Sequence, residues 1–434
     1  MNSTMIALNK GAMRKYEDLE VPCDRILASY VWVDGSGINL RSKCRTLDFV
    51  PKSHKDLPIW YYDGSNTSQA NPDNSDTFIF PEVIYHDPFR RGPHILVLAD
   101  TYQYNYQPTS TNYRKDCIIV CEKGEVEEPW FGFNQEFFLT TTDGRPLGWP
   151  AGGFPAPPGP YYCATGANKI VARDLMEAFY RGGSTADVFN LMNINYLQCF
   201  YSNFHINITK KVYLMSQNVR MCTHTNMDLG TIQTVRFKRK YLFNPNKKLL
   251  IENFIVCLNN PRLFTEYQMV KLCYRCCLYA GINLNGINPG TTPSQWNFQV
   301  GPSPGIRAAD DLWMARYILA RLAEEYGTVA TFEPQPVPDW PGNGTFVYFS
   351  VKDMREDDGI LVIERAIDKL ARRHGAHINE YDANNGVANR NCSIRIPRQV
   401  SEDKKGYLED RRPAANADPY RVISIMLKTC IFDE

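Results

Sequence analysis

Apolar and polar positions alternate with a period of two along much of the first hundred residues, the pattern of strands with one buried face. ILASYVWVDGSGINLRSKCRTL holds two such runs around Asp-Gly-Ser-Gly, a hairpin signal. DTFIFPEVIYHDPF and HILVLADTYQY predict further strands, with Pro81, Pro88 and Pro93 marking the breaks. TSTNYRKDCIIVCEKG predicts a linker leading into a helix, and WFGFNQEFFL a strand with Trp130, Gly132, Asn134, Glu136 and Phe138 on one face. After a Gly/Pro-rich loop a helix begins at GANKIVARDLMEAFYR. Further on, QWNFQVGP reads as a strand with Asn297 and Gln299 facing together. DLWMARYILARLAEEYG then places Leu312, Ala315, Ile318, Leu319 and Leu322 at the spacing of an amphipathic core helix. DDGILVIERAIDKLARRHG opens with acids and closes on Arg372, Arg373 and His374, as a helix dipole prefers.

The stretch 386–413 carries five arginines, Arg390, Arg395, Arg398, Arg411 and Arg412, with the apolar punctuation of buried strands. In SIRIPR, Ile394 and Ile396 face away from Ser393 and Arg395, and in GYLEDRR the same period puts Tyr407, Glu409 and Arg411 on one face. An aromatic, a carboxylate and a guanidinium side by side suit a polyanion held beside a metal, or else a structural ion-pair network. YYDGSNT presents Asp63 and Ser65 on a tight turn, which ordinary turn chemistry also explains.

The chain has 434 residues, 44% of them hydrophobic, enough for two domains with cores of their own. A formal net charge of +1 argues against nucleic acid or an anionic membrane as a general partner. No apolar run is long enough to span a bilayer. The first twenty residues lack a secretory signal, so a cytoplasmic location is expected, with a weak mitochondrial presequence left open. Thirteen scattered cysteines fit free thiols in a reducing compartment.

NRNCSIRIPR and KKGYLEDRRPAANADPY, together with YYDGSNTSQANPDNSD, PWFGFNQEFFLTTTDGRPLGWP, GPYYCATGANKIVARDLMEAFYR and QWNFQVGPSPGI, resemble the motifs of eukaryotic-type glutamine synthetases. The resemblance implies an α+β fold: an arm at 1–23, a small N-terminal β-grasp domain at 24–108, and a larger catalytic-type domain at 109–181 and 276–434. That larger domain would have a curved antiparallel sheet and flanking helices. It also implies ATP-dependent joining of ammonia to L-glutamate through a γ-glutamyl phosphate, with Mg²⁺ or Mn²⁺, in a decameric homo-oligomer with sites at subunit boundaries. By residue, it assigns Asp63 to a loop that reaches a neighbour's site and helps bind and deprotonate ammonium. Arg390, Arg395 and Arg411 match positions that contact phosphate and glutamate; Trp130, Pro302, Ser350, Arg355 and Tyr407 match the nucleotide site; Glu136 and Glu409 match metal ligands.

The chain departs from that pattern where Asn134, Gly290, Asn297 and Phe346 replace three carboxylates and an imidazole of the metal site. Tyr348 and Pro341 stand where the family has asparagines, and the loop after HINEYD, with its substrate-binding arginine and closing glutamate, is missing. The expectation is therefore a paralogue that is inactive or severely impaired, with one metal persisting at Glu136 and Glu409. The alternatives are an active glutamate-ammonia ligase, or a structural or regulatory subunit in a hetero-oligomer with an active paralogue.

The segment 182–275 is extra to the family pattern. It is basic, with twelve Lys and Arg against four Asp and Glu, and rich in Asn, Ile, Tyr, Leu and Lys. An inserted domain would need its own core. A zinc site would use Cys199, Cys222, Cys257, Cys273, His205 and His224, but no paired C-x₂-C spacing occurs. Translated non-coding sequence from an incorrect gene model fits both the AT-rich composition and the interruption of a helix at its middle.

Overall fold

The computed structural model describes residues 24–150, 152–166, 168–173, 176, 276–381 and 393–434. The N-terminal arm, the three readings of 182–275, half of the stretch GANKIVARDLMEAFYR, and Arg390 lie outside these residues; the described part of that stretch before Arg173 is turn and coil rather than the expected start of a helix.

The alternating N-terminal runs form five strands: β1 (Ile26–Val33), β2 (Leu40–Leu47), β3 (Trp60–Asp63), β4 (Asp76–His86) and β5 (Ile95–Tyr102). Their order is β2-β1-β5-β4-β3, with β1 parallel to β5 and the other pairings antiparallel. Although β2 and β3 are opposite edges, Lys43 Nζ donates to the Tyr61 carbonyl at 2.9 Å, so the sheet curls into a half-barrel. Gly35 N donates to the Thr67 carbonyl at 2.8 Å across the same closure. A Cβ at Gly35 would stand 2.2 Å from the Ser68 carbonyl oxygen, so only glycine fits there. Alternation on β1 divides the burial: Ile26, Ala28, Tyr30 and Trp32 fill a small core inside the curl, while Val31 joins the main core.

After helix α1 (Tyr113–Lys123) comes a seven-stranded sheet with the path β11-β12-β10-β6-β8-β7. Its members are β6 (Trp130–Thr140), β7 (Leu284–Pro289), β8 (Gln295–Pro304), β10 (Thr345–Ser350), β11 (Ile394–Arg395) and β12 (Leu408–Asp410), with β9 (Val329–Thr331) pairing to β6 off the path. All its pairings are antiparallel. The fold is thus α+β, as the sequence leads one to expect, with a curled small sheet and a larger sheet backed by helices. Phe131, Phe133, Phe137, Phe298, Val347 and Phe349 point to the buried side of the larger sheet, where helix α2 (Arg307–Glu325) packs. Alternation leaves the other side polar, and that side holds the candidate site.

Helix α2 is buried nearly all round, beyond the single apolar stripe its spacing predicts. Its charges reach partners distant in sequence. Arg114 of α1 donates to Asp310 (2.8 Å) and to Glu82 of β4 (2.8 Å), Tyr420 OH donates to Asp310 (2.7 Å), and Tyr85 OH donates to Asp311 (2.9 Å). These bonds tie the two sheets together. Burial pushes Asp100 up to about 7 against the pull of Arg114, and Asp311 up to about 6 against that of Arg307.

Helices α3 (Ile360–Arg372) and α4 (His374–Tyr381) precede β11, and helix α5 (Pro419–Leu427) runs on into a π-helical turn at Lys428–Phe432. His377 of α4 is fully buried, its Nδ1 2.6 Å from Tyr381 OH and its Nε2 2.9 Å from Thr429 Oγ1. Burial, with Arg412 adding repulsion, pushes its imidazole down to about 4 from the ordinary 6.5. The folded value lies below the unfolded one, so this contribution to stability is complete above about 6.5 and is lost as pH falls towards 4. Urea midpoints measured from neutral pH down to 4.5 are expected to fall more steeply for the wild-type chain than for His377→Gln. Parallel profiles would refute a buried neutral imidazole.

Candidate functional site

The polar face is assembled by ladder register. One cross-strand row runs Arg395 (β11), Glu409 (β12), Tyr348 (β10), Gly132 (β6); the next aligns Phe346 with Asn134 and Gln299; the next aligns Glu136 with Asn297 and Asn288. Because side chains repeat every second residue, Trp130, Asn134 and Glu136 share this face with Phe346, Tyr348, Ser350, Asn297 and Glu409.

At the centre Glu409 accepts from Arg411 Nε at 2.7 Å on one oxygen and from Arg395 Nη1 at 3.3 Å on the other. The carboxylate is buried, at 4% exposure, while the Arg395 side chain is about half exposed. The Arg411 guanidinium lies 5.4 Å from the Phe346 ring centre. Tyr348 packs over Gly132 and meets Tyr407 edge-on at 5.6 Å. Burial raises the Tyr348 phenol, with Glu409 and Tyr407 adding to the shift and a hydrogen bond from Asn134 opposing it. The phenol therefore stays neutral and occupies the floor between Glu409 and Asn134.

At one end of the face the Arg355 guanidinium stands 5.5 Å from the Trp130 ring and donates to Ser350 Oγ (3.4 Å) and the Glu128 carbonyl (3.0 Å). Trp130 is 37% exposed, so its ring remains open to a planar partner. Pro302 is exposed near the end of β8, its carbonyl accepting from Asn283 Nδ2 at 2.9 Å. At the other end Glu136 Oε2 accepts from Gly344 N at 2.9 Å, and Asn288 Nδ2 lies 3.5 Å from Asn297 Oδ1. Asn134 Oδ1 is buried with no hydrogen-bond partner among the described residues. Gln295 fills the space beside Gly290: a Cβ there would lie 2.7 Å from Gln295 Oε1.

These positions decide what a metal would meet. Glu136 and Glu409 are two strands apart and four residues out of register, which places their Cα atoms roughly 16 Å apart. A single metal held by both Glu136 and Glu409 would have to bridge those strands and rows. Among the described residues no three His, Cys, Asp or Glu side chains gather to hold a metal ion. Hard divalent cations take six or more oxygen ligands and need anionic ones to bind firmly. The face offers amides and aromatic rings at the intervening positions instead.

The structure brings Trp130, Ser350 and Arg355 into one cluster and Tyr407, Glu409, Arg411 and Arg395 into another. Asp63 sits apart, at the end of β3 on the small sheet. Its carboxylate accepts from Ser65 N (3.0 Å), Ser65 Oγ (2.6 Å) and Asn66 Nδ2 (2.8 Å), and the bonds from Ser65 hold it below the usual carboxylate range. Tyr348 is the site residue whose role sequence reasoning missed. Its signal, a large residue two positions from Phe346 and opposite a glycine, becomes legible only with the register.

Residues 239–377 match the family described as glutamine synthetase, catalytic domain, a match that begins inside the segment set apart above. Over 450 residues the chain is 40% identical to glutamine synthetase 2 cytoplasmic of Drosophila melanogaster, covering 98% of this chain and 96% of that protein. It is 39% identical over 457 residues to glutamine synthetase 1, mitochondrial, of the same organism, covering 100% and 91%. It is 37% identical over 450 residues to glutamine synthetase of Mus musculus, covering 98% and 95%.

Proposed function

The chain belongs to the glutamine synthetase family, and we propose that its own site is inactive or severely impaired in the ATP-dependent joining of ammonia to L-glutamate. The observation that carries this reading is the set of uncharged side chains, Asn134, Asn297 and Phe346, that the ladder register lines up on the face holding Glu136 and Glu409. Transfer of a phosphoryl group to a carboxylate brings two polyanions together, so the protein's task is charge neutralisation and positioning. Removing one such stabiliser typically costs about 10² to 10³ in rate, and members of a cooperating site do not act independently.

The arginine and nucleotide halves keep their chemistry. Trp130 and Arg355 offer a ring face and a guanidinium to a nucleotide, with Ser350, Tyr407 and Pro302 alongside, and Arg395, Arg411 and Arg390 supply positive charge for phosphate or glutamate. ATP is the nucleotide of this reading. Mg²⁺ or Mn²⁺ fits the residues poorly, for want of anionic oxygens.

A second reading, as a structural or regulatory subunit, draws on Asp63. A carboxylate preorganised on an exposed turn of the small sheet could complete the site of a neighbouring copy or of an active paralogue in the ring, whatever its own subunit does. We place the chain in the cytoplasm, with mitochondria as the alternative. Among the described residues no helix is long and apolar enough to cross a membrane.

Complementation of a glutamine auxotroph tests the main reading. Failure to restore growth, at confirmed expression, is the expected result; growth would establish an active ligase. Co-purification with an active paralogue would favour the subunit reading over a protein acting alone.

A further inference from the structure

Resting on the reading that the metal array is lost, we propose that Glu409 serves here as an internal counter-anion. It occupies Arg395 and Arg411 until a free oxyanion, carrying no divalent cation, displaces it. Two guanidiniums share this one carboxylate, so the centre of the face keeps an excess positive charge. The carboxylate lies beneath, with its side chain 5% exposed, while those of Arg395 and Arg411 are 48% and 25% exposed and reach outward.

The clamp is uneven. Arg411 holds Glu409 at 2.7 Å, a normal charge-assisted length, whereas Arg395 holds it at 3.3 Å, beyond that range. Among the described residues the Arg411 side chain donates only through Nε, so its outer fork remains available to two oxygens. Phe346 backs that guanidinium and offers no oxygen of its own. Asn134 and Asn297 on the same face are neutral, and the other carboxylate of the face, Glu136, lies four residues along β6 from the row of Glu409. A divalent cation at the same point meets two guanidiniums.

The ligand class is a small oxyanion with at least two oxygens, as phosphate chains and carboxylates both provide. Titration of the full chain with inorganic pyrophosphate and, separately, with L-glutamate distinguishes the two sources, each measured in EDTA and in Mg²⁺. The expected result is that one of them binds in EDTA and that Mg²⁺ leaves this unchanged or weakens it. Glu409→Gln is expected to tighten that binding about tenfold, and Arg411→Gln to weaken it about tenfold.

Binding that requires Mg²⁺, weaker binding by Glu409→Gln, or no binding of either anion would overturn the inference. The wild-type comparison decides even where a variant fails to fold. A γ-glutamyl transfer assay on the same sample separates the two levels. Turnover removes the reading of a lost metal array, whereas Mg²⁺-dependent binding without turnover removes only the role of Glu409.

Discussion

Mn²⁺ is expected to bind the double variant Asn134→Glu/Asn297→Glu at least about a hundredfold more tightly than the unmodified chain, two carboxylates being the anionic oxygens a hard cation lacks here. Position 297 pairs directly with Glu136 across the β6/β8 ladder, so the second substitution sets two carboxylates about 5 Å apart at Cβ. Position 134 lies two residues along the same face of β6; among the described residues its present Oδ1 has no hydrogen-bond partner, and the substitution gives up the amide's hydrogen bond to Tyr348. Without metal the variant should be less stable, because like charges directly opposite each other cost up to about 1 kcal/mol. With Mn²⁺ at a hundred times the variant's dissociation constant, binding should add about 2.7 kcal/mol to the variant's stability, enough to reverse the order. Calorimetry and melting curves with and without Mn²⁺ check both halves. Equal Mn²⁺ affinity in the unmodified chain would mean that the amides already work as ligands. Turnover is not expected to follow, since Gln295 still fills the space beside Gly290.

Arg316→Ala should cost roughly 3–5 kcal/mol of stability, the range for leaving buried hydrogen-bonding and charged partners uncompensated. Arg316 of α2 is fully buried, and burial pushes its guanidinium down to about 10. It donates to Gln135 Oε1 through Nε (3.1 Å) and Nη2 (2.6 Å), and to the Ala415 and Ala417 carbonyls at 3.0 and 3.1 Å. Gln135 in turn donates to the Glu136 and Ala415 carbonyls at 2.8 and 2.9 Å. Truncation would orphan acceptors on β6 and on the segment before α5 at once. Since Gln135 lies between Asn134 and Glu136, the polar face should loosen too. Arg316→Met should not rescue, because a thioether fills volume but donates nothing. A urea-derived loss below about 1 kcal/mol in Arg316→Ala would show that water replaces the guanidinium there.

Strands that alternate cleanly were legible in the sequence. β6 and β8 lie where their period-two patterns place them, with Asn134, Glu136 and Asn297 on a common side. Which residues on that side meet was not legible, because spacing along a strand says nothing about register between strands. Glu136 and Glu409 share a face yet stand rows apart, and only the β12-β10-β6 ladder reveals it. SIRIPR alternates like a strand throughout, but pairing stops at Ile394–Arg395. Pro397 then adopts the extended backbone of an N-cap and a short helix starts at Arg398, whose side chain is almost fully exposed. The apolar stripe of α2 was readable, whereas its buried Asp310, Asp311 and Arg316 depend on partners from Tyr85 to Tyr420 that no local window contains.

The most direct measurement is the γ-glutamyl transfer rate of the purified full chain with Mn²⁺ or Mg²⁺, paired with titration of an ATP analogue on the same sample. Binding without turnover, or no binding at all, is the predicted result. Metal-dependent binding accompanied by turnover would contradict it and make Asn134 and Asn297 working ligands.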